Sequence, residues 1–423
     1  MKRAFAVTLC LAALVAGPIQ RAGAASGATL ADAMKNKDLA EIQRLTAEAI
    51  QQRGTNAGVP DAEPEFRPVP KTATPLRAAE IKTAFQPYVR RLQRERWWRE
   101  PQPPQEMDQP LRAVASVVEG CLAAHVAGCA DPEALLQMAR AAGEVLLWAQ
   151  TNGGRGVFPV PAWKGKRGRL GELSDRFLER AEKAGRLAAL TQNGWIVDDT
   201  GSGDLQFDNG VSGVAVLHLF ETTREQRYLR SARAAADWAS RQPVVPNWNY
   251  NSFSVFLLSE VFRVTKDHRY LDAAREKVQL GIYPGQLKSG PQAGRWFDPH
   301  NARLVYHFIL LRGLAAYAAV LPADDPDLAV AKQALQQGVS AWLPEVTTRG
   351  VANGETVLEF LARVQASDRL RPLLSSQTEA AWELLGRLYS AQVRTGGVPV
   401  APGAWGIYLQ SLKLAHGAGS DSP

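Results

Sequence analysis

The feature that most constrains this chain is an internal repeat. "TREQRYLRSA" begins at Thr223 and "TKDHRYLDAA" at Thr265, 42 residues later, and both carry Thr, a base, an acid, Arg-Tyr-Leu and a trailing Ala. The same register pairs Asn209 with Asn251, Val211 with Phe253, Val214 with Phe256 and Phe220 with Phe262. A period near 40 with two helical segments per unit marks stacked α-hairpins, each of which buries its apolar face on its neighbours. From about residue 110 nearly every apolar segment has helical spacing, and strand-like alternation is rare. Helices are expected near 110–127, 132–150, 171–190, 209–222, 225–240, 251–264, 267–281, 300–320, 326–342, 354–366, 375–393 and 404–415.

The two helices of a pair differ. The segment 225–240 is Arg- and Ala-rich with one apolar stripe, whereas 251–264 and 300–320 are apolar around most of their circumference and so are expected inside. An inner ring of buried helices within an outer amphipathic ring gives the expected fold: all-α, an α/α toroid of about six helical hairpins. Inner-to-outer links are short. Outer-to-inner links, such as "TQNGWIVDDTGSGDLQFDNG" and "YPGQLKSGPQAGRWFDPHN", are long and rich in Gly, Pro and aromatics. They emerge on one face, and long loops on a rigid scaffold are where function sits.

The N-terminal part reads differently. Lys2 and Arg3, the apolar run from Ala4 to Ala16 and Ala22-Gly23-Ala24 have the layout of a secretory signal peptide over 1–24. Its removal takes Lys2, Arg3 and Arg21 and no acid, so the net charge falls from +7 to +4. This expectation places the protein in the periplasm or outside the cell, without a transmembrane segment. Residues 25–57 hold a small helical pair and 58–75 a Pro-rich linker; the toroid occupies 76–423. Residues 25–100 are a candidate contact for an envelope protein, and within them the Arg-rich helix before Trp97 and Trp98 is expected to pack one of those indoles on the toroid. In an oxidising compartment Cys121 and Cys129 suggest a disulfide. No Cys/His pattern suggests zinc, and the modest positive balance gives no reason to expect nucleic acid.

Candidate functional residues cluster at the expected starts of inner helices. Asn209, Asn251, Asn301 and Asn353 stand there, and Asn is a preferred N-cap; Asn209 and Asn353 fit that role. Asn251 has Trp248, Asn249 and Tyr250 beside it. In "RWFDPHNARLVYHF", His300, Arg303 and His307 fall on one helical stripe with Tyr306 at its edge and Trp296 upstream. Such a stripe on an apolar helix is either a hydrogen-bonded plug of the ring axis or a substrate-contacting cluster. In "WIVDDTGSGDLQFDN", Asp198, Asp199, Asp204 and Asp208 are interleaved with Gly and Ser. Asp199 and Asp204 are candidate calcium ligands, although the spacing is not that of an EF-hand; a turn solvated by its own side chains is the competing reading. Asp208, next to Asn209, is a candidate base or sugar ligand.

"LLWAQTNGGRGVFPVP" resembles the Gln–Asn-Gly-Gly–aromatic-Pro element of α/α-toroid enzymes, above all the pectate lyases of polysaccharide lyase family 10, and "LQFDNGVSGVAVLHLF" is similar to their inner-helix start. The resemblance covers about 110–320. Gly210 and Val211 replace the acidic run that follows Asp-Asn in that family, and Ile196 stands where terpene cyclases of related fold have an acid. It implies an exported enzyme that cleaves an acidic, uronate-containing polysaccharide or oligosaccharide by β-elimination. Asn251, Asn301 or Arg303 would then bind the carboxylate, His300 or His307 would take the proton, and Tyr250 or Tyr306 would return one. A glycoside hydrolase using two of Asp199, Asp208 and Glu355, and a non-catalytic glycan-binding or envelope-assembly protein, are the alternatives.

Overall fold

The computed structural model describes residues 29–409 apart from 60–64, 75, 130, 166–167, 200, 298–303, 353, 396–402 and 404–407. Its helices are α1 (Leu30–Lys35), α2 (Leu39–Arg53), α3 (Ala78–Ala84), α4 (Gln86–Arg94), α5 (Leu111–Ala127), α6 (Pro132–Gly153), α7 (Arg169–Lys183), α8 (Leu187–Leu190), α9 (Asp204–Thr223), α10 (Gln226–Arg241), α11 (Trp248–Thr265), α12 (His268–Gly281), α13 (Leu304–Val320), α14 (Pro326–Arg349), α15 (Gly354–Ala366) and α16 (Arg371–Arg394). Three two-residue strands, β1 (Val160–Pro161), β2 (Thr191–Gln192) and β3 (Trp195–Ile196), form a small antiparallel sheet in the order β1-β3-β2. The fold is the expected α/α toroid. Among the described residues, α5/α6, α9/α10, α11/α12, α13/α14 and α15/α16 are complete hairpins, and α5, α9, α11, α13 and α15 pack side by side as the inner ring.

The sequence repeat is the hairpin turn itself. Arg224 and Lys266 each end an inner helix in the left-handed region, at φ 62° and 58°. Thr223 and Thr265 each accept from the amide two residues on, at 3.3 Å. The Tyr228 hydroxyl then donates to Glu144 on α6, and the Tyr270 hydroxyl to Asp237 on α10, both at 2.8 Å. The motif therefore ties each outer helix to the preceding one.

The last described hairpin contacts the first helices. Arg394 on α16 pairs with Glu80 on α3 at 2.9 Å. Glycine 403 lies against Glu119 of α5, where an added Cβ would come within 3.1 Å of the Glu119 Cβ. Within 65–74, Arg67 exchanges both backbone hydrogen bonds with Val351, at 2.8 and 2.9 Å. The α1/α2 pair buries Met34, Ile42 and Leu45, and α2 packs on α12. Trp98 is buried, with its indole donating to the Leu92 carbonyl. No helix among the described residues is long and apolar enough to cross a membrane.

Three expectations are corrected. The segment 171–190 is not part of the ring: it is α7 and α8, a mostly charged excursion inside the long link from α6 to α9. Asn209 is not a cap, because α9 begins five residues before it; Asn251 likewise lies three residues past the start of α11. Cys121 and Cys129 are both buried and are not joined by a disulfide. Burial pushes the Cys121 thiol up to about 12, and the Cys129 thiol donates to the Ile81 carbonyl at 3.2 Å. Without reductant, both should resist maleimide in the native protein and both should react after denaturation; a mass showing the pair oxidised would contradict this assignment.

Glycine sets the spacing of the inner ring. A Cβ on Gly210 of α9 would lie 2.7 Å from the Phe253 carbonyl oxygen of α11, and one on Gly313 of α13 would lie 2.8 Å from the Ser252 carbonyl oxygen. Backbone cannot swing aside as a side-chain tip can. Gly210→Ala gains up to about 1 kcal/mol of helix propensity, but overpacking costs typically ~1–3 kcal/mol. The expected outcome is a lowered thermal midpoint; a raised midpoint would show that α9 and α11 are not in close contact.

The ring axis is plugged by charge. Glu260 of α11 meets Arg363 of α15 at 2.6 Å and Arg263 at 2.9 Å. His218 of α9 lies between Glu119 of α5 at 2.8 Å and Glu260 at 3.7 Å. Arg263 also grips Glu221. The Phe256 ring sits between the guanidiniums of Arg312 and Arg363, at 4.7 and 4.2 Å. One network thus joins four inner helices, α5, α9, α11 and α15.

Candidate functional site

Because the hairpins alternate direction, the inner helices all start on the same face. Outer helices α6, α12 and α14 start on the opposite face, capped by their own Asp131, Asp267 and Asp325. Inner helices α5 and α11 start without a side-chain cap, so their first amides and positive dipole ends favour an anion at this mouth.

The first two turns of these helices place Arg112 (α5), Asp204, Phe207 and Asp208 (α9), Tyr250 and Phe253 (α11) and Tyr306 (α13) around the mouth. Arg112 donates to Asp208 through two bonds, Nε–Oδ1 at 2.8 Å and Nη2–Oδ2 at 2.6 Å. Its guanidinium lies 4.1 Å over the Phe207 ring, which stacks on Phe253 at 4.1 Å. The third nitrogen, Arg112 Nη1, is buried with no hydrogen-bond partner among the described residues, and so is Arg180 Nε. Two unmatched guanidinium donors at one mouth call for an acceptor.

Helix α7 arches toward the same place. Its Arg180 pairs with Asp204, which also accepts from the Ser202 hydroxyl at 2.9 Å. Asp199 accepts from the Gly201, Gly203 and Leu205 amides at 2.7, 2.8 and 3.2 Å, and so fixes the loop that starts α9. At Gly203 the loop passes so close to Tyr250 that a Cβ would lie 3.2 Å from its ring. Burial is the largest influence on the Tyr250 hydroxyl and raises its pKa; Tyr306 adds to this, and Arg112, Arg180 and Arg176 oppose it. The net direction is upward, so Tyr250 is a phenol at neutral pH. Among the described residues its hydroxyl has no protein partner. Burial raises Asp208 against the pull of Arg112; the bidentate geometry keeps it a carboxylate, and with no exposure at all it reaches no ligand.

Several other sequence candidates that the structure describes are committed to other contacts. Asn209 accepts from the Phe158 amide at 3.1 Å and donates to the Ala235 carbonyl at 3.0 Å. Asn251 does the same one repeat later, accepting from the Val245 amide at 3.0 Å and donating to the Gly281 carbonyl at 3.2 Å. Each ties a long link to the following outer helix. Asn249 is buried against Asn247. Trp248 and Trp296 are core side chains whose indoles donate to the Phe297 and Ile282 carbonyls. His307 is buried, with Nε2 2.9 Å from the Gly338 carbonyl. Burial, with Arg295 nearby, holds its pKa well below the usual value, so it pins α14 as a neutral ring and does not face the mouth. His300, Asn301, Arg303 and Asn353 lie outside the described residues, as does the Glu355 side chain. Asp199 and Asp204 hold amides and a guanidinium, and the described residues contain no group of three His, Cys, Asp or Glu placed to hold a metal ion.

Sequence reasoning missed Arg112, Arg176 and Arg180. The last two recur four residues apart, on one face of α7, a spacing visible in "DRFLER". What hid them was the assumption that this helix belonged to the ring.

No family model matches the sequence, and no curated protein matches it. Among the solved structures that align with this chain, two cover most of it. One is a polysaccharide lyase, with 12% identity, 82% of this chain and 98% of that chain covered and a TM-score of 0.45. The other is a family 88 glycosyl hydrolase from Bacteroides vulgatus, with 11% identity, 80% and 98% covered and a TM-score of 0.46.

Proposed function

We propose that this chain cleaves an acidic, uronate-containing glycan by β-elimination at the mouth formed by the inner-helix starts. The observation that carries the reading is the composition of that mouth: an unpartnered phenol, Tyr250, under the influence of three guanidiniums, beside carboxylates that are already committed. β-Elimination needs the substrate carboxylate neutralised, the C5 proton removed, the C4–O bond broken as the C4=C5 bond forms, and the leaving oxygen protonated. Arg176 and Arg180, with the free nitrogen of Arg112 behind them, supply the positive side for the carboxylate. Tyr250, protonated at neutral pH, is the proton donor. The base is Tyr306, or His300 beyond the described residues.

A hydrolase would need two carboxylates free to flank a glycosidic bond. Asp208 is sealed on Arg112, Asp204 is held by Arg180, and Asp199 is spent on amides, so the lyase reading is favoured. It takes no commitment to calcium. Incubation with a panel of uronate polymers, followed by ultraviolet absorbance, separates the readings. A conjugated double bond marks a lyase, reducing ends without that absorbance mark a hydrolase, and neither product marks a glycan-binding protein.

A further inference from the structure

A second polar surface lies on the outer side of the ring. Glu144, Leu147, Trp148, Thr151 and Asn152 of α6, with Asn193 from the β2–β3 turn, line an open groove of about 460 Å³. Its construction differs from that of the mouth. The Glu144 carboxylate is matched at both oxygens, by the Tyr228 hydroxyl and by Arg227, each at 2.8 Å. The groove therefore offers no unbalanced charge. Trp148 is half-buried, its indole propped edge-to-face on Trp195 at 5.9 Å. Asn152 Oδ1 accepts from the Trp195 indole, and Asn193 Nδ2 donates to the Asn152 carbonyl, both at 2.8 Å, so both amides are held in place. Their remaining ends, Asn152 Nδ2 and Asn193 Oδ1, have no protein partner among the described residues, and neither have the Thr151 hydroxyl and the Trp148 Nε1–H.

We infer that this groove is a secondary binding site for a neutral, hydroxyl-rich saccharide. A sugar ring presents an apolar C–H face, suited to an indole, and a rim of hydroxyls that both donate and accept. The groove supplies an aromatic platform and uncharged groups of both senses. An anionic ligand is disfavoured, because the residues lining the groove include no Lys or Arg, and the nearby Arg227 is already engaged by Glu144. The site is also linked to the mouth: β3 runs directly from the Asn193 turn to the Asp199 loop, six residues on, a span of at most about 20 Å. A glycan bound here is held close to the cleavage site. The choice of ligand class rests on the glycan reading of the mouth; the binding test does not use activity, so the two can fail separately.

Tyr250→Phe protein, incapable of turnover on this account, is titrated with neutral tetrasaccharides of glucose, mannose, galactose and xylose and with a uronate tetramer. The readout is the Trp148 indole N–H resonance, assigned by its loss in Trp148→Leu. The expected result is a saturable shift with at least one neutral sugar, at least tenfold weaker in Asn193→Gly, a substitution that the left-handed backbone at φ 51° accepts without strain. Wild-type cleavage of the short uronate substrate is unchanged in Asn193→Gly. No shift with any neutral sugar, binding unaffected by Asn193→Gly, or a response to the uronate tetramer alone would overturn the inference.

Discussion

Tyr250→Phe should abolish cleavage of the uronate substrate while leaving the helical circular dichroism unchanged. The substitution removes one oxygen and keeps the ring that packs against Gly203. Loss of a positioned acid costs typically ~10²–10⁴-fold in rate. The loss should fall on kcat more than on KM, because the arginines that hold the carboxylate stay in place. The pH profile carries a second signature. The Tyr250 pKa is raised above its ordinary value of 10, so the proton donor stays loaded through the neutral and mildly alkaline range. An alkaline limb below pH 10 must then come from another group and should persist in the residual activity of the variant. Full activity in Tyr250→Phe would remove this hydroxyl from the mechanism.

Glu260→Ala should strongly lower stability. Glu260 is nearly inaccessible and compensates Arg363, Arg263 and His218 at once. Burial raises its pKa, but these cations more than offset that and hold it well below the usual carboxylate range. Removing one partner of a buried ion pair costs roughly 3–5 kcal/mol, because the opposite charge is left without compensation. A substantially lowered thermal midpoint is expected, with Glu260→Gln less affected.

The same network predicts the pH dependence. Burial pulls His218 down, yet Glu119 and Glu260 raise it from 6.5 to about 10. A raised folded value gives stability that is fully present below about pH 6.5 and lost as the pH climbs toward 10. Glu260 contributes in the other direction: its stabilisation is present above its ordinary 4.5 and lost as the pH falls. The thermal midpoint should therefore decline from pH 6.5 to 10, and His218→Gln should flatten that decline. An unchanged midpoint in Glu260→Ala would show that the network has no net effect.

Much of the architecture was legible because it rests on short-range rules. The 42-residue repeat, the apolar inner helices and the short and long links each follow from periodicity and turn chemistry, and they gave the toroid. The site was legible only in part. Tyr250 and Tyr306 stand where inner helices begin, and the fold brings them to one mouth. The asparagines misled because a polar residue near a helix start serves equally well as a cap, a ligand or a clamp, and only the three-dimensional partners of Asn209 and Asn251 distinguish these. His307 misled because a stripe of ionisable groups looks alike whether it faces a cleft or a neighbouring helix. The arginines were missed because their role depends on where α7 arches, which no local pattern encodes. Glu260, His218 and Arg363 lie 42 and 103 residues apart along the chain from Glu260, and only ring closure brings them into contact.

The most direct test is a crystal structure of the Tyr250→Phe protein with a uronate tetramer. The account predicts one sugar carboxylate within hydrogen-bonding distance of Arg176 or Arg180, with the glycosidic oxygen next to the ring at position 250. A tetramer lodged at the opposite pole beside Glu260 and His218, or seated in the mouth with its carboxylates turned away from the arginines, would contradict it.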